Sequence, residues 1–196
     1  MPIEGATVYE ASKAFSDHLN RLLNTTLTHM RLQAVGRDES VRVAISFREQ
    51  GKPTEAPLNT KYGPMTLFIG QLCEGVTVGN GRQRLTTVTY QYTLTLGERG
   101  QQYPPEPFLR WEYIRTPEKG GLWCRHHLQG TPLIPFGRSG PLPLNDFHLP
   151  TGYVPIEEII RFCIVDLEVR ALSANWSDIL HRSYVQFRNE FGGPPD

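Results

Sequence analysis

The chain has no surplus of charge, with 20 Lys and Arg set against 20 Asp and Glu in 196 residues. Binding nucleic acid or a membrane through overall electrostatics requires many cationic side chains to displace counterions, so that mode is excluded. Cysteine is scarce. Cys73, Cys124 and Cys163 are odd in number, far apart and set in apolar stretches, which makes neither a disulfide framework nor a zinc-ligand spacing. This usage fits a reducing cytosol. Long apolar runs are missing as well: the longest, Met65 to Leu72, contains Thr66, Gly70 and Gln71 and falls far short of the ~20 residues of a membrane span. Glu4 and Glu10 stand where a secretory signal would need basic residues followed by an apolar run. A soluble, cytoplasmic protein without membrane contact is expected. There is no HExxH, no CxxC pair, no dense carboxylate cluster, no internal repeat and no low-complexity tract. No metal site and no cofactor are expected.

What is present is enough to fold. Hydrophobic residues make up 39% of the chain, too many for a disordered one, and the length suits a single domain over 1–196 with a short tail at 192–196. Charge is uneven along it. Residues 79–140 hold eight basic and four acidic groups, and residues 141–196 hold four basic and eight acidic. Either the two segments neutralise each other on packing, or the middle presents a basic surface to an anion.

Periodicity sets the elements. Thr7 and Glu10 have the form of a capping box, and Val8, Ala11, Phe15, Leu19, Leu22 and Leu23 recur at helical spacing, predicting a helix over about 8–24. Residues 30–35 and 41–48 alternate and predict a hairpin turning at 36–39. Residues 49–64, with Pro53, Pro57 and Pro64, read as an exposed connection, and 65–73 as either strand or buried helix. From Leu85 to Leu96, Val88, Tyr90, Tyr92, Leu94 and Leu96 share one face and Thr87, Thr89, Gln91, Thr93 and Thr95 form an outer one. Two strands follow at 108–115 and 122–129. Residues 130–155 hold four Gly and six Pro, a density that predicts a long ordered loop or lid serving a site. Two helices close the chain, one after Pro155 with Ile156, Ile159, Ile160 and Cys163 inward, and one with Trp176, Ile179, Leu180, Tyr184, Phe187 and Phe191 inward. The order predicts α+β: an antiparallel sheet of about five or six strands with one N-terminal and two C-terminal helices packed on one face.

The 108–129 hairpin carries the candidate chemistry. Trp111, Tyr113 and Arg115 share a face of its first strand, and Trp123, Arg125 and His127 share a face of its second. A register pairing Arg115 with Trp123 joins these six into one aromatic and basic surface, with Arg110, Glu112, Cys124 and His126 behind it and Glu112 across from His126. A carboxylate beside an imidazole suits general acid-base work, and aromatic rings beside guanidinium groups suit single-stranded nucleic acid. The candidates are therefore His126, His127 and Glu112 as catalytic residues and Arg110, Trp111, Tyr113, Arg115, Trp123 and Arg125 as substrate-binding residues. A slip of one residue would mix the two faces. The same aromatic residues also suit ordinary cross-strand core packing. Asp146 and His148 either form a second polar pair or make local turns. Gly79 to Arg84 lacks the spacing of a phosphate loop and reads as a tight turn, and His18, His29 and His181 read as scattered surface histidines.

Thr89-Tyr90-Gln91-Tyr92, Leu109-Arg110-Trp111-Glu112-Tyr113 and Arg125-His126-His127-Leu128, followed by the helix at Ile156-Glu157-Glu158-Ile159-Ile160, resemble the layout of TumE-type toxins of bacterial toxin-antitoxin pairs. The resemblance covers about residues 88–165, with fewer histidines here. It implies a cognate partner protein and an RNA-directed, hydrolase-like activity, with Arg110, Glu112, His126 and His127 as the matching positions. The leading expectation is a toxin-like protein acting on RNA or a nucleotide phosphate through the hairpin. The competing one is a partner-binding domain without catalysis, using the Pro/Gly loop and the acidic C-terminal helices.

Overall fold

The computed structural model describes residues 4–36, 41–98, 107–116, 125–131, 133–135, 141–143 and 149–191. The fold is α+β, as the element order predicts. Helix α1, Val8–Thr26, starts where Thr7 Oγ1 accepts from Glu10 N at 3.1 Å, and Glu10 reaches back one residue past the cap to accept from Ala6 N at 2.7 Å. Its apolar stripe buries Ala11, Leu19, Leu22 and Leu23. Helices α2, Ile156–Val165, and α3, Trp176–Phe191, close the chain.

The sheet contains β1 (Glu4–Gly5), β2 (Leu32–Val35), β3 (Arg42–Glu49), β4 (Lys52–Pro53), β5 (Ala56–Thr60), β6 (Gly63–Thr77), β7 (Gln83–Leu96), β8 (Pro107–Ile114), β9 (His126–Gly130) and β12 (Leu149–Pro150). A separate ribbon pairs β10 (Leu133–Pro135) with β11 (Pro141–Pro143). The main path runs β12-β9-β8-β7-β6-β3-β2, antiparallel throughout. Residues 65–73 are strand, within the 15-residue β6 that pairs along nearly its whole length with β7. Two expected connections contain strands. Segment 49–64 folds into β5, which buries Ala56 and Leu58 against β6, and the Pro-rich segment contributes β10, β11 and the edge strand β12. Proline is tolerated there because an edge strand leaves half its N–H groups without a ladder role.

Strand alternation divides the sheet into rows. One row reads Ala34, Ile45, Gln71, Tyr90, Tyr113 and His126 across six strands. It lies under the helices: Gln71 and Tyr92 border an internal cavity together with Phe15 of α1, Glu157 of α2 and Phe187 of α3. The neighbouring row points the other way and crosses seven strands as Gln33, Ser46, Gly70, Gln91, Glu112, His127 and Pro150. The predicted threonine surface is only partly outward, since Thr93 and Thr95 are buried. Thr95 pairs with Thr66, whose hydroxyl donates to Glu55 where the chain between β4 and β5 crosses that end.

The three helices are joined by one polar chain. Ser183 Oγ on α3 donates to Glu157 Oε1 on α2 at 2.6 Å, and His18 Nε2 on α1 lies 3.2 Å from the same hydroxyl. Burial pushes the Glu157 carboxyl up from its ordinary 4.5, partly offset by the Ser183 bond. A carboxyl whose folded pKa is raised binds more protons in the native state, so its favourable contribution is full below the unfolded value and is lost as pH rises through the folded one. Glu157→Gln keeps the acceptor and removes the titration. We expect its stability advantage over the parent to grow above pH 4.5 in urea titrations at stepped pH; parallel curves would contradict the assignment.

Candidate functional site

The β8–β9 register differs by one residue from the expected one: Glu112 faces His127 and Tyr113 faces His126. This slip regroups every candidate. Trp111 and Tyr113 turn inward, 9% and 0% exposed, and His126 follows them to the helix-covered side. There Tyr113 stacks on His126 with ring centroids 4.6 Å apart, Tyr90 stacks on Tyr92 at 4.7 Å, and Trp111 meets Phe162 of α2 edge-on. Burial, then the nearby Arg125, depress the His126 pKa. The aromatic and basic surface is therefore not assembled as expected: the rings of Trp111 and Tyr113 belong to the core. Trp123, Cys124, Asp146 and His148 lie outside the described residues.

Arg110, Glu112, His127 and Gln129 gather on the helix-free face instead. His127 Nε2 lies 2.9 Å from Glu112 Oε2, and Arg110 Nε lies 3.5 Å from Glu112 Oε1. The Arg110 guanidinium also donates to Gln129 Oε1. The His127 side chain is fully buried, whereas those of Glu112 and Arg110 are 21% and 28% exposed. His127 thus supports Glu112 from beneath, and Glu112 meets solvent. Arg115 takes a separate role, bonded to Glu74 at 3.3 Å, to the Thr87 carbonyl and to Thr86 Oγ1. Arg125 is exposed at the start of β9.

Glu112 borders a hollow of about 360 Å³ in this face, with Phe68, Gly70, Leu72, Gln91 and Ile114. Gly70 makes room in it for the Phe68 ring. A Cβ at that position would stand 2.7 Å from Cε1 of Phe68, whose ring lies across the glycine. The result is a shallow site with an aromatic wall, an amide and a carboxylate held at both oxygens. Gly70, Gln91 and Phe68 escaped the sequence reading; the available signal was a glycine inside an alternating strand, which often marks a close approach or a binding depression. His18 escaped it too, being tied to Ser183 rather than scattered on the surface.

Among the described residues no group of three or more His, Cys, Asp or Glu is placed to hold a metal. No helix among the described residues is long and apolar enough to cross a membrane. The inward position of Tyr113 has a measurable consequence. Its hydroxyl is buried without a hydrogen-bond partner among the described residues, a desolvated group that returns nothing. Tyr113→Phe should leave the urea midpoint unchanged or raise stability by up to about 1 kcal/mol. A clear loss would mean that the hydroxyl is bonded in solution. Comparison with protein-family models, curated proteins and solved structures finds no match to the chain.

Proposed function

We propose that the protein is toxin-like and acts on RNA at a nucleotide phosphate, from the helix-free face of the β8–β9 hairpin. The observation that carries this reading is Glu112, open to the hollow, with Arg110 and His127 each engaging one of its oxygens. Cleavage by the ribose 2′-hydroxyl needs a base for that hydroxyl and a cation for the phosphoryl oxygens. Glu112 supplies the first and Arg110 the second. A phosphate entering the hollow draws Arg110 from Glu112 and leaves that carboxylate oxygen open to the 2′-hydroxyl, whose proton it takes. The 2′-oxygen then attacks phosphorus, the bond to the 5′-oxygen breaks, and that oxygen recovers the proton from Glu112. Phe68 provides the stacking wall that Trp111 and Tyr113 do not, and Gln91 offers a donor and an acceptor to a base edge. His127 is a positioning residue.

A second reading, a domain that binds a cognate partner protein without catalysis, is favoured by the exposed apolar side chains Val165, Leu172 and Val185 of the C-terminal helical region. The two readings part on one assay with the full chain and single-stranded RNA. Glu112→Gln should lower kcat about 100- to 10,000-fold, the range of a lost general base. His127→Ala should lower it and shift the pH profile, whereas His126→Ala should change stability and leave the profile in place. A parent protein that cleaves no RNA, or Glu112→Gln at full rate, would overturn the catalytic reading and leave the partner-binding one.

A further inference from the structure

A second cleft lies on the opposite side of the molecule, between α1 and α3. It is a groove of about 490 Å³, within the range of small-molecule sites. The two helices line it with matched faces: His18, Arg21 and Leu22 from α1, at i, i+3 and i+4, and Ile179, Arg182 and Ser183 from α3 at the same spacing. Arg21 and Arg182 are exposed on facing helices, and among the described residues neither guanidinium has a carboxylate within ion-pair distance. Arg161 of α2, by contrast, is tied to Glu158 at 2.7 Å.

We propose that this groove binds the phosphate group of a small organic phosphate, gripped between Arg21 and Arg182, with its organic part on Leu22 and Ile179. Two guanidinium groups from separate helices meet a phosphate from two sides, each with a fork of N–H donors suited to its oxygens. No carboxylate lines the groove. The acidic group beneath it, Glu157, is already occupied by the Ser183 hydroxyl, and burial disfavours its charged form. The groove also adjoins the interior. His18 and Gln186 border both it and the internal cavity of about 20 Å³ shared by the three helices, which has room for roughly one water. A ligand seated here would touch α1 and α3 at once and stabilise the helical layer against the sheet. The site is independent of the hairpin and of the activity proposed for it.

Calorimetric titration of the full chain at low ionic strength tests the proposal, with inorganic phosphate and phenyl phosphate as probes. Both should bind saturably, phenyl phosphate more tightly because Leu22 and Ile179 receive the ring. Arg21→Gln or Arg182→Gln should each weaken binding about tenfold, as expected for one lost charge-assisted contact, and the double variant should abolish it. Both arginines are exposed, so the variants should keep the parent circular dichroism spectrum. Arg161→Gln should bind like the parent. No saturable binding up to about 10 mM, or equal loss in Arg161→Gln, would overturn the site. Equal affinity for the two probes would overturn the assignment of an organic phosphate.

Discussion

Glu112 stands opposite His127 and Tyr113 opposite His126, and this register sorts the side chains of the last hairpin between two environments. Side chains alternate along a strand, so one residue of slippage would carry Glu112 into the aromatic core and bring Tyr113 to solvent. The register is fixed by what each face must bury. Tyr90, Tyr92, Trp111 and Tyr113 form a connected aromatic layer beneath α1 and α2, and no arrangement that exposed them would recover that burial. The polar set on the other face is the complement of this layer.

The helical layer is held differently. Leu19, Leu23, Ile159, Ile160 and Cys163 supply apolar contact, and the Glu157, Ser183 and His18 chain fixes how three helices meet. A buried polar chain contributes little net stability when satisfied and costs much when broken, so its effect falls on the alignment of the helices rather than on the depth of the core. Alignment matters here because the groove between α1 and α3 exists only at a set spacing of the two helices.

The elements were legible where a single period dominates. The spacing of Leu19, Leu22 and Leu23 and the alternation through Tyr90 and Tyr92 each leave one reading, and helix and strand follow. The segments rich in proline were not legible, because strands of two to five residues at an edge carry too few positions for a period and proline argues against them locally; β5 and β12 are strands through their pairing with β6 and β9. The site was legible in composition but not in arrangement. Arg110, Glu112 and the paired histidines stood out as residue types. Which histidine meets the carboxylate depends on the register of β8 against β9, which no local pattern specifies. Gly70 and Gln91 joined them only through strand pairing with β6 and β8, at separations that sequence spacing does not reveal.

The hollow on the helix-free face owes its aromatic wall to one missing side chain. Gly70 lies near the middle of a row that crosses seven strands, and the backbone on either side of it is locked into hydrogen-bonded ladders. The space that a side chain there would fill is taken by the ring of Phe68, which lies across the glycine. The ladders hold the main chain beneath that ring in place, so the ring itself is the part left to adjust to an occupant.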